Sequence, residues 1–168
     1  LEKNKTTFIV MGVSGCGKST IGRMIATVLE LPFFEGDEYH SPENVLKMSQ
    51  GNPLNDEDRL SWLLRLNSLA KQNSDSGSVI ACSALKEKYR SILSKDIKEH
   101  TRYIYLKGSF EELIKRMTLR TDHFMPPALL KSQFETLEPP EDALTVSTEN
   151  PPEIIVENIL KQLDKSKI

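Results

Sequence analysis

No stretch of this 168-residue chain approaches the ~20 consecutive apolar residues needed to cross a bilayer. Neither sign of charge dominates, with 22 Lys and Arg against 24 Asp and Glu. A net charge of −2 gives no basic field to attract nucleic acid or an anionic membrane, so neither is expected as a partner. Cysteine is scarce. Cys16 and Cys82 form no C-x-x-C pair and have no histidine cluster, which excludes a zinc site. They read as small, half-buried thiols rather than a disulfide. Internal repeats and low-complexity tracts are missing. The opening LEKNKTT is polar and does not read as a signal peptide, so a cytoplasmic setting is expected. What remains is an ordinary globular composition, 27% charged and 38% hydrophobic, of a length that suits a single domain over residues 1–168.

Apolar runs alternate with helical patterns, which predicts βαβ units and a parallel sheet. Thr7–Met11 (TFIVM) suits a fully buried strand. Lys18–Glu30 carries a helical stripe of Ile21, Met24, Ile25, Val28 and Leu29, and Pro32 ends it. Phe33–Glu35 is a short second strand. Pro42–Ser49 reads as a short helix with Ser41 as N-cap and Pro42 at the first position. After the break at Gly51-Asn52-Pro53, a long helix runs from about residue 56 to 73, with Trp62, Leu66, Leu69 and Ala70 on one stripe. Strands are predicted at Ser78–Cys82, Arg102–Leu106 and Leu144–Ser147. Helices are predicted at Lys86–Ser94, Phe110–Arg120, Ala128–Phe134 and Pro152–Leu163, the last with Ile155, Ile159, Leu160 and Leu163 inward. Pro126-Pro127 separates two of them, and residues 138–143 form an acidic, Pro-rich loop. Right-handed crossovers over five parallel strands make a three-layer α/β/α sandwich.

One segment carries chemistry directly. Gly12-Val13-Ser14-Gly15-Cys16-Gly17-Lys18-Ser19 matches G-x-x-x-x-G-K-[ST], the P-loop, between a buried strand and a helix. Three glycines let the backbone curl so that successive N–H groups point into one concavity. The helix beginning near Lys18 adds its positive end. Lys18 supplies a point charge for the β- and γ-phosphates, and the Ser19 hydroxyl is a natural Mg²⁺ ligand. ATP and Mg²⁺ are the expected cofactors, with Gly12, Val13, Ser14, Gly15, Cys16, Gly17, Lys18, Ser19 and Thr20 around the nucleotide.

Several absences narrow the class further. No N-K-x-D guanine-reading sequence and no D-x-x-G switch is present. The third strand ends Ala81-Cys82-Ser83, without the carboxylate that a motor ATPase needs to organise metal and water. Arg116 and Arg120 lie four apart on one helix face, just before the polar segment Thr121–Pro127. In a small kinase such arginines close onto the transferring phosphoryl group, making a lid of about residues 116–134. Their plainer role is to solvate a helix face.

The acceptor belongs beyond the carboxyl ends of the strands. The second strand is read as ending at Gly36-Asp37. Asp37 there orients a substrate hydroxyl and takes its proton, or holds Mg²⁺ through water, or caps a turn. His40 follows, as a ligand or a surface histidine. Arg59, in the first turn of the long helix, opposes the helix dipole. That suits a clamp for a substrate carboxylate, or an ion pair with Asp56 or Glu35. Ser83, Lys86 and Arg90 follow the third strand. Lys86 and Arg90, four apart, face one cleft or solvate a helix.

These residues carry a resemblance. Gly36-Asp37, His40-Ser41-Pro42 and Asn44, Lys47-Met48 to Gly51, Pro53-Leu54 to Asp56, and Asp58-Arg59 to Trp62-Leu63 resemble the gluconokinase signature. So do Ala81-Cys82-Ser83-Ala84-Leu85-Lys86, Tyr89-Arg90, and His123-Phe124-Met125-Pro126 through Ser132-Gln133-Phe134 to Thr136-Leu137-Glu138. Shikimate kinases and nucleotide kinases share the P-loop and lid but not these middle segments. The resemblance implies ATP-dependent phosphorylation of the C6 hydroxyl of D-gluconate, a nucleotide-kinase-like sheet of order 2-3-1-4-5, Mg²⁺ and a homodimer. It implies substrate contacts at Asp37, His40, Arg59, Ser83, Lys86, Arg90 and Gln133. Catalytic roles would fall to Lys18, Asp37, Arg116 and Arg120. Asp122 is a visible departure in the lid loop. The alternatives are another small-molecule kinase, of shikimate or nucleotide type, or a nucleotide-gated regulator without turnover.

Overall fold

The structure is a computed structural model that describes residues 5–119 and 127–166. Its sheet has the strands β1 (Thr7–Met11), β2 (Phe33–Glu35), β3 (Ser78–Ala81), β4 (Thr101–Lys107) and β5 (Leu144–Ser147). Their order is β2-β3-β1-β4-β5 and every pairing is parallel. The expected architecture is therefore the observed one. The helices are α1 (Lys18–Leu29), α2 (Pro42–Ser49), α3 (Asp56–Gln72), α4 (Glu87–Leu93), α5 (Phe110–Leu119), α6 (Pro127–Thr136) and α7 (Pro152–Lys165).

Strand alternation divides the core into two layers. Phe8 and Val10 point to one face, where Ile21 and Ile25 of α1, Leu113 of α5, Leu130 of α6 and Ile159 of α7 cover them. Ile9 and Met11 point to the other, against Trp62, Leu63 and Leu66 of α3 and Tyr89 and Leu93 of α4. All five residues of β1 are buried, which is why that segment reads as an unbroken apolar run.

The expected stripes differ from the observed ones in detail. Val28 is 57% exposed, and Ala26 takes its place in the core. On α3 the buried set includes Leu63 and the polar Asn67, while Leu69 is only half-buried. Asn67 is inside because it has work there. Its amide donates to the carbonyls of Leu93 (2.8 Å) and Lys95 (3.0 Å), satisfying acceptors at the end of α4.

The second strand is Phe33–Glu35, as expected, and Gly36–Tyr39, which carries Asp37, is a short 3-10 helix. Gly36 lies against β3, where a Cβ would fall well inside contact distance of the Ala81 carbonyl oxygen. Its own carbonyl accepts from the Trp62 indole at 2.8 Å. Backbone meets backbone here, and neither side can rotate away. Gly36→Ala is thus expected to cost about 3 kcal/mol, the upper end for overpacking. That corresponds to a fall in Tm of roughly 6–12 °C for a chain of this size, read by circular dichroism. An unchanged midpoint would mean that β2 retreats freely from β3.

Candidate active site

The P-loop leaves β1 at Met11 and enters α1 at Lys18. Gly17 caps the helix in the left-handed region, at φ 98°, where a side chain would be strained. No side chain caps α1 and no acidic residue sits in its first turn, so its positive end is left for an anion. The loop is tied down on both sides. The Gly12 amide donates to the Ser83 carbonyl (3.3 Å), and the Lys18 ammonium donates to the Val13 carbonyl (3.0 Å). Gln133 of α6 grips Ser14 twice. Its side-chain oxygen accepts from the Ser14 amide at 2.7 Å, and its nitrogen donates to the Ser14 hydroxyl at 2.9 Å.

The Ser19 hydroxyl donates to the Glu35 carboxylate. Sequence reasoning looked for an acidic residue at the end of the third strand and missed this one. Glu35 is in register with Ala81, so the neighbouring strand supplies the carboxylate that β3 lacks. Its signal was the position immediately before Gly36-Asp37. A hydroxyl and a carboxylate are hard oxygen donors of the kind Mg²⁺ takes, with its remaining positions filled by phosphates and water. Among the described residues there is no group of three His, Cys, Asp or Glu that would form a closed metal cage.

Asp37 is exposed on the 3-10 helix after β2. Buried Cys82 locates it. Its thiol is pushed up to about 12, chiefly by burial, with Asp37 and Glu35 adding to the rise and the Ala84 backbone and Lys18 opposing it. Those three charges therefore share the space around the end of β3. Both cysteines are free thiols.

His40 stacks on Trp62, with ring centroids 4.1 Å apart and planes 21° from parallel. Burial lowers its pKa; Asp37 works against the shift and Arg59 adds to it. The shift favours the neutral imidazole, and its Nδ1 is buried without a hydrogen-bond partner among the described residues.

Arg59 follows a capping box in which Asn55 and Asp58 each accept from the other's backbone N–H. Its guanidinium donates to the Leu54 carbonyl and, at 3.3 Å, to the Tyr89 hydroxyl. It makes no ion pair with Asp56 or Glu35. Asp56 accepts instead from Lys86 (3.3 Å), Lys88 and Tyr89. Hydrogen bonds from Lys88, then Tyr89 and Lys86, hold the Asp56 carboxyl well below the usual carboxylate range.

Lys86 and Arg90 part company, so that neither a shared cleft nor, for buried Arg90, a solvated helix face describes them. Arg90 is buried and donates to the carbonyls of Ala84 (2.8 Å), Leu85 (3.3 Å) and Glu138 (3.0 Å). It thereby supports the turn at Ala84, a non-glycine residue at φ 46°. A spacing of four residues places two side chains on one face, but orphan carbonyls decided where Arg90 went. Arg116 is anchored too, to Glu112 at 2.8 Å and to the Thr148 carbonyl at the end of β5. Arg120 and residues 121–126, including Asp122, lie outside the described residues. A cavity of ≈ 670 Å³ beside Lys95, Thr101 and Pro139 contains none of the P-loop or β2 residues.

The shikimate kinase family matches residues 14–164. The thermosensitive gluconokinase of Escherichia coli K12 is 51% identical over 139 residues, covering 80% of this chain and 73% of that protein. The thermoresistant gluconokinase of the same organism is 39% identical over 95% of this chain and 94% of its own length. A crystal structure of a gluconokinase from Sinorhizobium meliloti 1021 superposes with a TM-score of 0.89 at 41% identity, over 96% of this chain and 93% of that one. Shikimate kinase from Aquifex aeolicus, at 19% identity and a TM-score of 0.64, shares the fold. With a braced P-loop, a pair of carboxylates beside it and relatives of this similarity over most of its length, the chain is a kinase and belongs to the gluconokinase family of P-loop proteins.

Proposed function

We propose that this enzyme transfers the γ-phosphoryl group of ATP to the C6 hydroxyl of D-gluconate, giving 6-phospho-D-gluconate. The observation that carries the reading is the row of groups leading away from the P-loop. Lys18, Glu35 and Asp37 all lie close enough to Cys82 to bear on its charge, Asp37 and Arg59 flank His40 with opposite effects, and Arg59 reaches Tyr89. Acid lies near the phosphates and base lies farther out, which suits a chain of hydroxyls ending in a carboxylate. Asp37 orients the C6 hydroxyl and receives its proton as the oxygen bonds to phosphorus and the bond to the ADP oxygen breaks. Lys18 and the amino end of α1 take up the charge that develops on the transferred group. Neutral His40 exchanges hydrogen bonds with the sugar hydroxyls, and Arg59 and Lys86 hold the carboxylate.

Ser19 and Glu35 would hold Mg²⁺, which when bound neutralises phosphate charge. Gln133 would sense the nucleotide through Ser14 rather than touch the sugar. Arg90 would act as a positioning residue for the turn after β3. The lid of residues 116–134 would bring Arg116 to the phosphates only after leaving Glu112 and Thr148. A homodimer and a cytoplasmic setting complete the reading, on the resemblance to the family. Among the described residues no helix is long and apolar enough to cross a membrane.

ADP release measured against gluconate, other sugar acids, shikimate and nucleoside monophosphates tests the assignment. Stimulation by gluconate above the rest is the expected result. Preference for shikimate or a nucleotide would replace the substrate. ATP binding with no acceptor-dependent release would replace the enzyme with a regulator.

A further inference from the structure

Tyr89 stands at the centre of the cation cluster. Its ring lies beneath two positive groups, the Arg59 guanidinium at 5.5 Å and the Lys86 ammonium at 5.6 Å from the centroid. Its hydroxyl accepts from Arg59 at 3.3 Å and donates to Asp56. The side chain is otherwise built into the core, with 3% of its surface exposed, packed in the layer that holds Trp62 and Leu63. One rigid ring with two rotatable bonds therefore stands against two long cations, Arg59 on α3 and Lys86 at the N-cap of α4, the latter also bonded to Asp56 at 3.3 Å. Burial and the Asp56 hydrogen bond raise the Tyr89 pKa, which keeps the hydroxyl a donor throughout the neutral range.

We infer that Tyr89 is the positioning residue for carboxylate recognition: its π-face and hydroxyl fix Arg59 and Lys86 as a pair spaced for an acidic acceptor. The inference rests on the proposed reaction, since it names the group that makes the acceptor site select an acid. Two like charges on long side chains repel and wander in water. The aromatic ring attracts each of them, and the Asp56 carboxylate, bonded to both the Tyr89 hydroxyl and Lys86, offsets their repulsion. Preorganisation of this kind lowers the ordering cost that the substrate would otherwise meet.

The test compares wild type with Tyr89→Leu and Tyr89→Phe, using gluconate as substrate. D-glucitol, the carboxylate-free polyol of the same length, serves as a competing ligand. Tyr89→Leu removes both the ring and the hydroxyl. Its KM for gluconate is expected to rise about ten- to a hundredfold, the loss of two cation–π contacts. Tyr89→Phe keeps the ring and is expected to show a rise of about three- to tenfold, the loss of its hydroxyl bonds. In both variants the KM for ATP and the inhibition constant of the polyol stay within about twofold of wild type, because neither ligand uses the cation pair. Gluconate KM unchanged in both variants would overturn the inference, as would parallel losses for gluconate, polyol and ATP, the mark of a merely structural residue. Should Tyr89→Leu fail to fold, the Tyr89→Phe comparison decides alone. A wild-type enzyme inactive on every sugar acid would defeat the proposed reaction itself and this inference with it. An active wild type with indifferent Tyr89 variants would defeat the inference only.

Discussion

Lys18→Ala is expected to reduce kcat by about a hundred- to a thousandfold, the loss produced by removing one preorganised electrostatic donor, or about 3–4 kcal/mol. The physical basis is the state of the loop. The Lys18 ammonium rests on the Val13 carbonyl, a neutral partner within its own loop. It is not held by a carboxylate, so turning toward a phosphate costs one ordinary hydrogen bond. Charge accumulates on the transferred group and its bridging oxygen during the reaction, so the stabilisation grows between bound ATP and transition state. The variant is expected to retain the fold, because Lys18 is only half-buried and starts a helix that Ala also favours. Single-turnover measurement with ATP in excess separates chemistry from binding. Near-normal turnover would remove Lys18 from the reaction.

Asp37→Asn is expected to lower kcat by about a hundred- to ten-thousandfold, the range for a positioned proton acceptor, while leaving ATP affinity within about twofold. The substitution keeps shape and hydrogen-bonding capacity and removes the charge and the basic site. Asp37 has a neighbour that makes the outcome informative. Glu35, two residues earlier, is the carboxylate bonded to Ser19. In the proposed reaction these two acids divide two tasks, Glu35, bonded to Ser19, serving the metal side and Asp37 the hydroxyl of the acceptor. If ATP affinity fell and the chemical step survived, that division would be reversed. Equilibrium binding of nucleotide, measured alongside kcat, reads both quantities on the same protein.

Much of the fold was legible because it rests on local pattern. The β-branched run Thr7–Met11, the cap at Ser41 and the Pro42 start of α2 all follow from short-range chemistry, and the strands fall where those signals place them. Parallel order followed from alternation of strands and helices and from resemblance. What escaped was decided by distant partners. Glu35 acquired its meaning from Ser19 and from its register with Ala81. Arg90 was drawn inward by carbonyls at Ala84, Leu85 and Glu138, which no spacing rule reveals. Asn67 formed no part of the expected stripe and is buried to close the end of another helix. Helix α6 begins at Pro127, one residue before its expected start, because proline is well suited to the first helical position. The site was legible as a set of residue types near strand ends. Which cation holds which oxygen was not, since that depends on competition among side chains brought together only by the folded sheet.

The grip of Gln133 on Ser14 also bears on how the protein is made. The two residues are 119 positions apart in sequence, so the contact closes one of the longest loops in the chain, and contacts of that kind form late. A polypeptide emerging from the ribosome presents Ser14 a full 119 residues ahead of Gln133. The loop acquires this brace only after residue 133 has been synthesised and the sheet between them has assembled. The brace on the P-loop therefore reports that the chain has been made and folded as far as α6, with β5 and α7 still to follow.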